Sequence, residues 1–179
     1  KKEMILPRSM VFSPDGKWLY LAGYGRSFSN GWGGVTWINA VTRMPYDGSE
    51  PPTLWVGDLK PNQSSSEEGK FNVPSSIACD TKGRIYVSDF VNDRIQVFNP
   101  EGKQLKSIPI QKPAYVNVHQ KTGDIFVFSF LIFESDHGFK QKDQPDIEAT
   151  MTHLGPIENP LLINKCPLPL AGYQKSTSW

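Results

Sequence analysis

Residues 73–105 read VPSSIACDTKGRIYVSDFVNDRIQVFNPEGKQL, and their patterning decides the fold. Ile77 and Cys79, then Ile85 and Val87, then Ile95 and Val97 recur at a spacing of two, which is the period of side chains on one face of a strand. Between these runs lie Thr81-Lys82-Gly83, Val91-Asn92-Asp93 and Asn99-Pro100-Glu101-Gly102, residue types that favour tight turns. Gln104 onward begins a fourth strand. Four short antiparallel strands joined in sequence form a meander, and a four-stranded meander is the repeating blade of a β-propeller.

Repetition beyond this stretch supports the reading. Gly16, Gly83 and Gly123 each stand just before a similar strand, WLYLA, RIYVS and DIFVF. The intervals are 83 − 16 = 67 and 123 − 83 = 40, and a period near 40 is a propeller signature. The longer first interval requires an inserted loop. Residues 73–105 also resemble the NHL repeat: a Pro, then Ile-Ala-x-Asp, Gly-x-Ile-Tyr-Val-x-Asp, Asn-x-Arg-Ile-x-Val-Phe and Gly follow that pattern closely. The resemblance implies an all-β protein with four-stranded antiparallel blades of the kind that builds six-bladed rings. Fold carries little information about activity, because propellers host many functions.

Taken in order, residues 7–72 are expected to form blade one, with strands at 9–13, 18–22, 34–40 and 53–56. Residues 73–112 form blade two. Residues 113–155 form a third blade, with strands at 114–119, 124–130 and 147–154 and a polar insertion at 132–146. Residues 156–179 are Pro-rich and receive no assignment. Two full blades and part of a third cannot close a ring, and closure is what removes exposed sheet edges. The missing blades are expected from a longer chain, from another copy, or from a different partner packed on the ends.

Bulk composition narrows the function classes. The chain has 179 residues, 38% hydrophobic and 21% charged, with 15 Gly and 15 Pro, a turn-rich globular composition. A net charge of +1 gives no electrostatic reason for nucleic acid as a partner. Its longest apolar run, 125–133, is too short to span a membrane as a helix. Cys79 falls on a buried strand pattern and reads as a free core thiol rather than half of a disulfide. Family habit implies an exported protein, periplasmic or extracellular.

Blade geometry locates the candidate site. The loop between second and third strands and the link between blades emerge on one face of a propeller. The long segments 23–33, 57–72 and 130–146 all belong to that face, whereas the turns opposite are minimal. Residues 64–68 within the blade link are expected to be mobile. Long loops on a rigid scaffold are where binding groups gather. Tyr24, Arg26, Phe28 and Trp32 offer aromatic rings around a cation, suited to stacking on a sugar, a base or a peptide side chain, or to plugging the channel mouth. Asp89, Asn92 and Arg94 sit at the top of blade two. The NHL resemblance implies that Asp89 and Arg94 chiefly tie loops and blades together through charge-assisted hydrogen bonds.

These residues point to a scaffold that binds a protein, peptide or glycan, with no catalysis of its own. The alternative is a hydrolase or lyase centred on a channel metal, Ca²⁺ or Zn²⁺, as in several families that resemble this fold. His137, beside Glu134 and Asp136, is then the candidate metal ligand. His119 reads as a turn residue and His153 as a strand-end residue. The sequence holds no HExxH spacing, nucleophile elbow or phosphate-binding glycine loop.

Overall fold

The computed structural model describes residues 7–24, 27–28, 35–36, 38–60, 63–132 and 148–169, with backbone alone at 24, 27–28 and 35–36. Every regular element among them is a strand. Three four-stranded antiparallel sheets follow one another along the chain. The first contains β1 (Pro7–Phe12), β2 (Trp18–Tyr24), β5 (Asn39–Pro45) and β6 (Thr53–Gly57). A two-stranded hairpin of β3 (Ser27–Phe28) and β4 (Val35–Thr36) lies between β2 and β5. The second sheet is β7 (Pro74–Cys79), β8 (Ile85–Asp89), β9 (Arg94–Phe98) and β10 (Gln104–Pro109). The third is β11 (Pro113–Val118), β12 (Ile125–Ser129), β13 (Thr150–Leu154) and β14 (Leu162–Pro167). Each sheet is one blade.

Blade two follows its sequence reading to within a residue or two. Blade one differs at its third strand: Asn39–Pro45, not 34–40, pairs with β2, with Trp18 opposite Pro45 and Tyr24 opposite Asn39. Blade three has a fourth strand that the sequence reading left unassigned. Leu162–Pro167 pairs with β13 but is exposed along nearly its whole length, so it has no buried face to reveal a period of two.

The blades share one internal register. In each, a proline opens the first strand and a bulge follows it: Pro7 faces Gly23, Pro74 faces Asp89 and Pro113 faces Ser129. Strand-interior proline is tolerated at a first residue or a bulge, where its missing N–H breaks no ladder. Two positions on, Ser9, Ser76 and Tyr115 are equivalent, opposite Ala22, Ser88 and Phe128.

First strands of adjacent blades meet, β1 against β7 and β7 against β11, which places them around the propeller axis. Hydroxyl groups join them there. Ser9 Oγ accepts from Ile77 N at 3.2 Å, and Ser76 Oγ accepts from Val116 N at the same distance. Ser75 Oγ lies within hydrogen-bond reach of the Pro113 and Ala114 carbonyls.

Between the sheets, the two faces of each strand enter two different cores. Ile77, Cys79, Ile85 and Val87 pack with Tyr20, Ala22 and Val41 of blade one. Ala78, Tyr86, Ile95 and Val97 pack with Val116, Val118, Ile125 and Val127 of blade three. Burial of each such aliphatic side chain contributes about 1.5–3 kcal/mol. Trp55 wedges between blades one and two, edge-on to Tyr20 and Phe98 at 4.9 and 5.7 Å, and its indole N–H donates to the Pro100 carbonyl. Cys79 is a free, buried thiol as expected, and burial, with Asp80 beside it, pushes it up to about 12.

Candidate functional site

Strand register identifies the looped face. The start of β1, the end of β2, the start of β5 and the end of β6 lie side by side, because Pro7 faces Gly23, Tyr24 faces Asn39 and Ala40 faces Gly57. The connections at 25–38, 58–73 and 130–149 therefore leave one face of the arc. The short turns at 13–17, 80–84, 99–103 and 119–124 leave the other. Each of these four holds a glycine at positive φ: Gly16, Gly83, Gly102 and Gly123.

At the centre of the looped face, blade two grips the link that precedes it. Asp89 is fully buried at the end of β8. Its carboxylate accepts from Asn72 N at 2.7 Å, Arg94 Nε at 2.8 Å, Asn92 Nδ2 at 2.9 Å and Gln96 Nε2 at 3.0 Å. Burial nonetheless pushes this carboxyl above the ordinary aspartate range, because desolvation outweighs the donors. The Arg94 guanidinium then reaches past Asp89 to the carbonyls of Ser66, Glu67 and Lys70 at 2.8, 2.9 and 3.1 Å. Asn92 also donates to the Ser65 carbonyl at 2.9 Å. Residues 65–67, expected to be mobile, are thus fastened by charge-assisted and amide hydrogen bonds.

Two participants escaped the sequence reading. Gln96 is fully buried; it donates to the Lys70 carbonyl at 2.7 Å and accepts from Gly69 N at 3.1 Å. A polar residue inside the apolar run RIQVF was the signal for it. Asn39, buried at the start of β5, accepts from Val73 N at 2.9 Å and donates to the Gln63 carbonyl at 3.0 Å, so it holds the link from blade one. It was hidden because the third strand was expected to end beside it rather than begin there. Val73, at the junction, has φ 63°. This left-handed conformation is unfavourable for a β-branched residue and costs about 1–3 kcal/mol. The bond from its N–H to Asn39 and that from Phe90 N to its carbonyl hold it there.

These contacts frame a cleft of about 330 Å³ lined by Asn39, Asp58, Ser65, Glu67, Lys70 and Phe71 among others. Asp58 and Lys70 form an ion pair across it at 3.4 Å. The Lys60 N–H, first, and Lys70 hold the Asp58 carboxyl below the ordinary range.

Asp89, Asn92 and Arg94 therefore come together, and their hydrogen bonds run into the link and one another. Tyr24 ends β2 and Phe28 lies in β3, both on the looped face by backbone position. Arg26, Trp32 and His137, with Glu134 and Asp136, lie outside the described residues. Among the described residues no group of His, Cys, Asp or Glu side chains is arranged to hold a metal. His119 Nδ1 is 3.0 Å from Thr122 Oγ1 in its turn. His153 stacks on Phe126 and lies 3.0 Å from Asp124, whose carboxyl that hydrogen bond holds below its ordinary range.

Residues 71–98 match the family model of the NHL repeat. No curated protein sequence matches the chain. Among solved structures the chain is similar to the RRP9 WD40 repeats, with TM-score 0.59 and 9% identity, covering 94% of this chain and 40% of that one. It is also similar to the hydrazine synthase of Kuenenia stuttgartiensis, with TM-score 0.55 and 14% identity, covering 94% and 38%. A luciferin-regenerating enzyme matches with TM-score 0.56 and 16% identity, covering 87% and 46%. At these identities the likeness is one of fold, and this chain spans less than half the length of each. Residues 71–98 are thus an NHL repeat, and the chain around them is a run of three β-propeller blades in an unclosed arc.

Proposed function

We propose that this chain is a binding scaffold whose looped face takes a protein, peptide or glycan. The observation that carries the reading is the one-sided placement of the long connections, 25–38, 58–73 and 130–149, on a scaffold whose opposite connections are no longer than 46–52 and 155–161. Two further features support it. The Asp89–Arg94–Gln96 network fixes the link rigidly, and preorganised loops lose less entropy on binding. The strained Val73 and the polar cleft at Asp58 and Lys70 lie on the same face, and such strain concentrates where ligands are gripped. The cleft's amides, hydroxyls and ion pair suit a ligand rich in hydroxyl or amide groups. Arg26 and Trp32, within the 25–38 connection, supply the stacking groups that such ligands use.

Glycan and peptide arrays probed with the full chain identify a ligand class. Trp32→Ala and Arg26→Ala should each then weaken the selected ligand about tenfold or more, roughly 1.4 kcal/mol. Both variants should keep the parent circular dichroism spectrum and melting midpoint. Unchanged affinity in both variants overturns the assignment of this face.

A further inference from the structure

The Asp89–Arg94–Gln96 network has a counterpart at the next junction, built from different residues. In blade two Pro74 faces Asp89, Asp89 faces Arg94, and Val87 faces Gln96. In blade three Pro113 faces Ser129, Ser129 faces Thr150, and Val127 faces Thr152. Ser129, Thr150 and Thr152 therefore stand where blade two has its carboxylate, guanidinium and amide. They are 4%, 5% and 5% exposed. Among the described residues none of the three hydroxyls has a hydrogen-bond partner.

In blade two the three long side chains hold main chain: the carbonyls of Ser66, Glu67 and Lys70 and the N–H groups of Gly69 and Asn72. The link 58–73 supplies that main chain. The link into blade three is only 110–112 and has no such segment to offer. In its place lies a cleft of about 210 Å³, lined by Ser129, Thr150 and Thr152 and by Ile110 and Gln111 of the link. Glu148 and Lys165 complete the lining with one charge of each sign. By register the cleft sits at the looped ends of β12 and β13, between blades two and three.

We propose that this cleft takes a short segment of peptide main chain from a partner protein, the chemistry that fills the equivalent space in blade two. The inference rests on the reading of the looped face as a binding face and names what this part of it takes. A buried hydroxyl costs free energy until it is paired, and each serine or threonine can donate once and accept twice. Peptide groups offer both kinds of partner in alternation, carbonyl and N–H. The opposed charges of Glu148 and Lys165 leave the lining neutral, which favours a dipolar ligand over an ion. The volume is below the roughly 300–1,000 Å³ of sites for drug-sized molecules, so it suits a few peptide groups.

An array of random octapeptides probed with the full chain supplies the test ligand, its strongest binder. Calorimetric titration with that octapeptide then compares variants. Thr150→Val and Thr152→Val each remove one hydroxyl and should each weaken binding about tenfold or more. Neither hydroxyl has a partner within the chain to lose, so both variants should melt at or above the parent midpoint. A lower midpoint in both overturns the proposal, because it ties the hydroxyls into the fold. So does an array on which no octapeptide binds, or a glycan whose binding both threonine variants abolish, which assigns the cleft to sugars. Trp32→Ala and Arg26→Ala separate this inference from the reading beneath it. If they weaken the octapeptide while the threonine variants bind it as the parent does, the looped face stands and the cleft assignment falls. If only the threonine variants lose affinity, the cleft stands and the assignment of the 25–38 connection falls.

Discussion

At the scale of single residues, Asp89 and Arg94 show how this fold uses charge. Arg94 is mostly buried beside a fully buried carboxylate at 2.8 Å, and both are hydrogen-bonded on almost every side. Removing one partner of such a pair strands the other in a medium of low polarity, which costs about 3–5 kcal/mol. Arg94→Ala should therefore lower stability by about that amount and also release residues 65–70. Asp89→Asn should cost less, about 1–3 kcal/mol, because the Arg94 guanidinium it deprives of a counter-ion keeps the Ser66, Glu67 and Lys70 carbonyls as acceptors, and because it removes a carboxylate that burial already disfavours. Urea unfolding midpoints for the two variants check the order; an equal or reversed ranking would show that the backbone carbonyls do not offset the loss of the carboxylate from Arg94. The pairing was legible from the sequence, because Asp89 and Arg94 fall at fixed places in the NHL pattern. Its reach to the Ser66, Glu67 and Lys70 carbonyls was not legible, since backbone acceptors leave no mark in residue identity.

At the scale of elements, the strands of the fully flanked middle blade were readable, whereas two strands of the outer blades were not. β7, β8 and β9 alternate or run continuously apolar because blades flank them on both sides. β14 faces water along most of its length, and its Pro-bounded sequence resembles a loop. The third strand of blade one was misplaced because GVTWINA alternates more cleanly than NAVTRMP, whose Thr42 and Arg43 interrupt the apolar run. On the turn face, the 155–161 connection fastens blade three to blade two. Glu158 accepts from Arg84 Nη1 at 2.7 Å and Lys82 Nζ at 3.2 Å, and Lys106 Nζ donates to the Ile157 carbonyl at 2.7 Å. Arg84, first, and Lys82 hold the Glu158 carboxyl down to about 2, from an ordinary value of 4.5. A carboxyl depressed in the folded state contributes stability that is complete above its unfolded value. That contribution is lost as pH falls from about 4.5 towards about 2. The thermal midpoint should drop across this window, and Glu158→Gln should lower the midpoint at pH 7 while shrinking the drop. A variant whose acid drop equals that of the parent would place the acid sensitivity elsewhere.

At the scale of the whole molecule, protection from solvent should follow position in the arc. Blade two alone is covered on both faces, and β7 is buried at every residue, whereas β1 and β14 are largely exposed. Local opening requires separation of whatever covers a strand, so the free energy of opening rises with the number of packed neighbours. Amide hydrogen exchange should accordingly be slowest in β7 and β8 and fastest in β14 and β6, the outer strands whose remaining edges pair with nothing among the described residues. Exchange in β7 as fast as in β14 would deny that the middle blade is the stable centre of the fold.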